Sequence, residues 1–373
     1  MEGEATEKRT RGRGKGSNFF AIGRDVWAQL NATPTTNRMN LLIAYLTLLA
    51  GTGSDHRLTK WSVKAIEEHT GLGKPRAKHA IEELISAGLV KRTEASTKMM
   101  PQYELPELPG DADPIFLPVA LITGLKGEAS MLRRVRETGD PMLLRMLIDL
   151  YGLVSLDATH GIPLENLREG GNQNNEPTAR KMADVGVHAI WALKAGTWRN
   201  AGGAWTSVHS IKQAGGTSDW SFFWQRVDLL QQIGAIWYEP WAFDGEGVDA
   251  EPLMPLDPSG FYGVAEMDDE AKLTRLALDV ARALISEEHA YKFENIPADF
   301  YLPLTLHRQE PALRRIARLR IEADTPGRRL SWKKRRAIIE NFTQAFDQVL
   351  IDIQANRFNR PMMSGAGKAR TLL

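Results

Sequence analysis

The chain has 373 residues, 43% hydrophobic and 25% charged, with 47 Lys/Arg against 46 Asp/Glu and no cysteine. These are ordinary globular values for two or three domains, which excludes a wholly disordered or collagen-like chain. The absence of cysteine excludes a disulfide scaffold, an iron–sulfur site, a thiolate zinc site and a cysteine nucleophile.

Near-neutral net charge hides strong segregation. Lys8 to Lys15 holds five Lys/Arg and no acid, and Glu239 to Glu288 holds 13 acids against 3 bases. Arg308 to Arg336 holds 11 bases against 3 acids. Such asymmetry points to basic surfaces for a polyanion, with an acidic segment kept elsewhere. The longest apolar run, Leu41–Ala50, is about half a membrane helix. The N-terminus lacks a signal-peptide core. The expectation is a soluble cytoplasmic protein without a membrane contact.

In chain order, residues 1–17 are Gly- and Arg-rich, with too little apolar surface to offset chain entropy. They read as a disordered basic tail. Residues 18–105 read as a first domain: a short apolar stretch and helix over Phe19–Ala32, an apolar helix over Asn37–Ala50, and a helix over Trp61–His69. Gly71-Leu72-Gly73 is a turn. Lys74–Ala87 is a helix with Ala77, Ala80, Ile81, Leu84 and Ile85 at helical spacing. Gly88 stops it. Leu89–Thr93 and Met99–Leu105 read as a strand pair.

Residues 106–139, punctuated by Pro106, Pro109, Gly110, Pro114 and Pro118, read as a linker carrying one extended apolar segment, Ile115–Ile122. Residues 140–244 read as a second domain. It opens on an Asp140-Pro141 helix start. A low-complexity loop covers 169–177, short helices cover Trp205–Ala214 and Asp219–Ile233, and a strand covers Ala235–Phe243. Residues 245–360 read as a helical C-terminal region, with helices at Asp268–His289, about Glu310–Ala323 and Ser331–Asn356; 361–373 read as a flexible tail. The expected fold class is mainly α with small β-wings (α+β): two winged-helix domains plus a helical C-terminal region.

The most informative stretch is Leu58–Thr93: helix, glycine turn, helix, Gly88, strand. A helix-turn-helix needs a short, glycine-tolerant turn between steeply crossed helices. Apolar residues anchor one side of the second helix, and Lys74, Arg76, Lys78 and His79 occupy its N-terminal outer face. That end of a recognition helix reaches base edges, where Arg or Lys bonds guanine or clamps phosphates. Lys60 before the first helix, and Lys91, Arg92 and Lys98 on the strand pair, are placed for the flanking backbone. Pro75 is compatible only with a helix starting at or just before Lys74.

The 36 residues Leu58–Thr93 resemble a winged helix-turn-helix domain. A weaker echo lies 146 residues on, where Ile81, Leu84 and Gly88 match Val227, Leu230 and Gly234. Two such units resemble the tandem winged-helix initiators of plasmid and phage replication. The resemblance implies sequence-specific binding of double-stranded DNA, with Ser221, Gln225 and Arg226 as the second unit's contacts, a homodimer, and replication or transcription machinery as partners. A transcriptional regulator of a mobile element is the alternative. From another class comes a winged-helix protein–protein adaptor, which the aromatics of Trp220–Trp224 suit.

A second basic candidate is Arg314, Arg315, Arg318, Arg320, Arg328, Arg329, Lys333, Lys334, Arg335 and Arg336, read as lying on two helices around Thr325-Pro326-Gly327. Arg328, Arg329 and Lys333 to Arg336 are its DNA-contact candidates. Solvated helix faces, or neutralisation of the acidic segment, are the plainer readings.

Catalytic signals are missing. The eight histidines form no i, i+3 or i, i+4 pair, and no phosphate loop or G-x-S-x-G motif occurs. Asp268-Asp269-Glu270 fits a helix N-terminus better than a metal site. No enzyme activity, cofactor or metal is expected.

Overall fold

A computed structural model of the chain describes residues 18–53, 55–108, 113–170, 178–196, 198–201, 211–212, 218–247, 249–262, 268–285, 291–296 and 298–355. The basic tail, the tail from 361 and most of the 169–177 loop and the Trp205–Ala214 helix lie outside the described residues. The chain divides into two compact units, residues 1–152 with 321–325, and residues 153–320 with 326–373.

The first unit runs β1 (Phe19–Ile22), α1 (Arg24–Ala32), α2 (Arg38–Ala50), β2 (Leu58–Thr59), α3 (Val63–Thr70), α4 (Lys74–Ser86), β3 (Lys91–Arg92), β4 (Tyr103–Glu104), β5 (Ile115–Pro118), α5 (Ala120–Thr123), α6 (Met131–Thr138) and α7 (Pro141–Tyr151). Helix α2 is apolar nearly all round and almost wholly buried, as such a helix must be. Asn37 caps it by accepting from the Asn40 N–H. Gly51 ends it where a Cβ would run into the Trp61 ring, so close approach requires glycine there.

Strands β2, β4 and β3 form an antiparallel sheet in that order, with Thr59 opposite Tyr103 and Lys91 opposite Glu104. Strand β5 pairs antiparallel with β1. The segment read as a linker thus contributes β5, α5 and α6 to this unit. Helix α7, read as the start of the second domain, also belongs to it.

The second unit runs β6 (Leu167–Glu169), β7 (Ala179–Val185), β8 (His188–Leu193), β9 (Arg199–Ala201), β10 (Ile211–Lys212), β11 (Ser218–Asp219), α8 (Ser221–Gln232), β12 (Ile236–Asp244), β13 (Glu251–Pro255), α9 (Pro258–Tyr262), α10 (Asp269–Leu284), α11 (Tyr291–Asn295), β14 (Phe300–Thr305), β15 (Ala312–Leu319) and α12 (Pro326–Gln354). A five-stranded sheet has the order β13-β12-β15-β6-β9, and a three-stranded sheet the order β14-β8-β7. All their described pairings are antiparallel. Strands β12 and β15 pair along their length, from Ile236 opposite Leu319 to Phe243 opposite Ala312. Helices α10 and α12 bury Leu273, Ala277, Leu284, Ile339 and Phe346 in one apolar cluster with residues of β8 and β14.

This corrects the expected fold class. The strands form substantial antiparallel sheets, not small wings on a mainly α chain, and the second unit is built on those sheets rather than on a second winged helix. The helix expected at Glu310–Ala323 is β15, a central strand. Both its faces are closed: Leu313, Ala317 and Leu319 are buried on one side, while Arg314 and Arg318 are buried on the other with carboxylate partners. A strand buried on both faces loses the apolar–polar alternation that identifies a strand from sequence.

The local echo does exist. Gly88 and Gly234 have φ of 71° and 73°. Their N–H groups donate to Ile85 and Gln231 carbonyls, and the next residues, Leu89 and Ala235, donate to Leu84 and Leu230. It is the same left-handed helix stop used twice. Among the described residues, the β10–β11 pair precedes α8, and a nine-residue strand comes after it.

Candidate nucleic-acid interface

Helix α4 is amphipathic in the simplest way. Ala77, Ala80, Ile81 and Leu84 are buried against α2 and α3, while Lys74, Arg76, Lys78 and His79 are exposed. Its start is set by Gly73 and by Pro75 in the first turn, where proline forfeits no helical hydrogen bond. Gly71, at φ 68°, caps α3 and allows the reversal. Lys74 lies 3.8 Å from Glu67, and Lys78 lies 3.8 Å from Glu82. Exposed pairs at that separation hold little energy and release readily. Arg76 has no hydrogen-bond or ion-pair partner among the described residues.

The back of α4 is latched to the start of α2 through Glu83. Its carboxylate accepts from the Thr35 hydroxyl (2.9 Å), the Thr36 hydroxyl (3.1 Å) and the Thr36 N–H (3.2 Å). His79 Nε2 lies 3.5 Å from the same carboxylate. Burial pushes the Glu83 pKa up, but the donors from Thr36 and Thr35 and the nearby His79 outweigh it and hold the carboxyl below its usual range.

Strands β3 and β4 project a loop beyond the sheet, closed by Thr93 N–H to Gln102 O at 3.2 Å and Thr97 N–H to Met100 O at 3.1 Å. Lys91, Arg92 and Lys98 are exposed there, as is Lys60 before α3. At the tip, Met99 and Met100 are 90% and 74% exposed. Burial pushes the Tyr103 phenol pKa up, opposed by the nearby Arg92 guanidinium.

Helix α6 adds cations from the stretch read as a linker. The Ser130 hydroxyl donates to the His69 carbonyl (2.7 Å), and Arg136 Nε donates to the Thr70 carbonyl (2.8 Å), so α6 satisfies the end of α3. A Cβ on Gly71 would lie 3.4 Å from both Arg133 Nε and Arg136 Nη2. The exposed Arg133 therefore lies beside the α3–α4 turn. The signal was present in sequence: a Ser130 cap, apolar Met131, Leu132 and Val135 on one side, and a Gly139 stop.

The second-unit candidates fare differently. Ser221 and Gln225 are exposed and Arg226 half-buried on α8, whose Phe223, Val227 and Leu230 are buried. Trp220, Phe223 and Trp224 pack edge to face, at 5.4 Å and 5.0 Å between ring centroids. Arg199 of β9 lies over Trp224 and donates to Glu169 (2.9 Å) and Asp228 (2.7 Å), fixing α8 to the sheet. Helix α8 is thus a helix docked on a sheet.

On α12, Arg329, Lys333, Lys334 and Arg336 are exposed and Arg328 is half-buried near Trp332. Arg335 corrects the expectation of DNA contact: it is 2% exposed. Its Nη1 donates to Glu239 at 2.8 Å and its Nε to Glu270 at 2.9 Å. Arg318 Nη1 (3.2 Å) and Trp241 Nε1 (2.8 Å) also donate to Glu239. Trp332 lies over Arg318 and Arg335 at 4.9 Å and 5.5 Å. The groove of about 910 Å³ between α10 and α12 is lined by both signs, Lys333 and Arg336 with Asp268, Asp269 and Glu340.

Among the described residues, no three His, Asp or Glu side chains are grouped to hold a metal ion, and no helix is long and apolar enough to cross a membrane. No family model, curated protein or solved structure matches the chain.

Proposed function

We propose that the first unit is a winged helix-turn-helix module that binds double-stranded DNA, with α4 in the major groove. The observation that carries this reading is the division of α4: an apolar face held in the core, and Lys74, Arg76, Lys78 and His79 facing solvent at its N-terminal half. Arg76, free of any internal partner among the described residues, supplies a planar fork suited to guanine O6 and N7. Lys74, Lys78 and Arg133 neutralise phosphates, and Lys91 and Lys98 meet the backbone alongside. Met99 and Met100 bring apolar contact to the same groove wall. The resemblance to replication initiators rested on two winged units; with the second unit built on sheets, the proposal stops at DNA binding.

Selection of bound duplexes from a random pool, followed by anisotropy titration across salt, tests it. Neutralising several phosphates makes log affinity fall linearly with log salt. Arg76→Ala is expected to relax preference at one base position at a cost of about 1–3 kcal/mol. Salt-independent binding, no enriched sequence, or an unchanged preference in Arg76→Ala overturns the reading. Early elution from a DNA column with capture of a protein partner would favour the adaptor instead.

A further inference from the structure

Helices α10 and α12 of the second unit leave between them an open groove of about 910 Å³. Arg329, Trp332, Lys333, Arg336 and Glu340 line its α12 wall. Their three- and four-residue spacing puts them on one stripe of that helix. Asp268, Asp269, Glu270 and Lys272, at the start of α10, line the other wall. The α12 wall meets solvent: Trp332 is 37% exposed, and Lys333, Arg336 and Glu340 are exposed.

The two walls differ in what their charges already hold. On α10, Asp268 accepts from the Ala271 N–H at 2.9 Å, Asp269 lies 3.5 Å from Lys272, and Glu270 accepts from Arg335 Nε at 2.9 Å. On α12, the Lys333 and Arg336 side chains have no hydrogen-bond or ion-pair partner among the described residues. Glu340, one turn past Arg336, is not within ion-pair reach of it. The α10 acids are therefore engaged inside the protein, while two cations of the same groove are not.

Trp332 sits beside those cations on a fixed support. Buried Arg318 and Arg335 lie over its ring at 4.9 Å and 5.5 Å, and Glu239 accepts from both. The exposed part of the indole meets the groove. A held aromatic ring next to unpaired cations supplies the two things that bind single-stranded nucleic acid: a face on which a base stacks, and positive charge for the flanking phosphates. Bases inside a duplex are already stacked on both faces, so only an unpaired base fits this arrangement.

We infer that the groove binds an unpaired nucleotide unit, with its base on Trp332 and its phosphate on Lys333 and Arg336. The site lies in the second unit and is independent of duplex binding by the first.

The full chain is titrated by anisotropy with a labelled single strand of deoxyadenylate and with an abasic strand of equal length. The intact strand is expected to bind at least about fivefold tighter, the contribution of one stacked base. Trp332→Ala is expected to remove that difference, and Trp332→Phe to retain most of it. The double variant Lys333→Gln, Arg336→Gln, at two exposed positions, is expected to lower the salt slope by about 1.4 for either strand. Should Trp332→Ala fail to fold, the abasic comparison and the double variant decide. Equal affinity for intact and abasic strands, or an unchanged salt slope in the double variant, overturns the inference. So does duplex that displaces the labelled strand as well as unlabelled single strand does. Displacement by adenosine monophosphate as readily as by strand assigns the site to a free nucleotide, and displacement by strand alone assigns it to single-stranded nucleic acid.

Discussion

Lys74, Arg76, Lys78 and His79 stand in solvent along α4, while Arg314, Arg318 and Arg335 of the second unit are 0–2% exposed. In the first group, Lys74, Lys78 and His79 pair loosely, at 3.5–3.8 Å, with acids on their own helix or the one before. The second is held by carboxylates distant in sequence: Glu239 lies 79 residues from Arg318 and 96 from Arg335. A loose local pair leaves a cation available to an outside anion. A buried, remote pair ties strands and helices together and spends the charge inside. Basic residues thus become a surface in one unit and a clamp between β12, β15, α10 and α12 in the other.

The strongest way to break that contrast is at Glu239. Glu239→Ala strips the buried Arg318 and Arg335 of the carboxylate they share, with an expected loss of about 3–5 kcal/mol in urea unfolding followed by tryptophan fluorescence. A loss below about 1 kcal/mol would mean that the clamp is dispensable. Glu83→Ala removes three hydrogen bonds behind the exposed face, at about 1–3 kcal/mol near neutral pH. Because folding depresses the Glu83 pKa, its contribution is complete above the ordinary value of 4.5 and fades as pH falls below it. The gap between wild type and Glu83→Ala is therefore expected to narrow under acid, in unfolding curves at pH 7 and pH 3. On the exposed side, Arg76→Ala is expected to alter base preference while leaving melting temperature near wild type. Lys98→Ala is expected to produce the smallest change, a fall of about one in the salt slope of DNA binding with preference intact.

Much of the first unit was legible because its signals are local. The apolar spacing of Ala77, Ala80, Ile81 and Leu84, the Gly71 and Gly88 stops and the Asp140-Pro141 start are each decided within one or two turns of chain. Helix α6 was legible too, by its Ser130 cap and Gly139 stop, but the prolines before it outweighed them as linker signals. Strand β15 was not legible. Leu313, Ile316, Ala317 and Leu319 also fit a helical stripe, and only pairing with β12 and β6 selects the extended form. The arginines within it look like a basic face until Glu239 and Glu246 are known to meet them. Arg335 sits in a run of four consecutive cations, and only the packing of α12 decides which of the four turns inward.

Met99 and Met100 stand at the outermost point of the β3–β4 loop, whereas Met39, Met131, Met146, Met182 and Met254 are buried. Among the described methionines, peroxide will reach these two exposed sulfurs first, turning each thioether into a polar, chiral sulfoxide. Peptide mapping after brief oxidant exposure is expected to find those two positions modified while the interior ones stay reduced, which gives this loop a chemical sensitivity that its neighbours do not share.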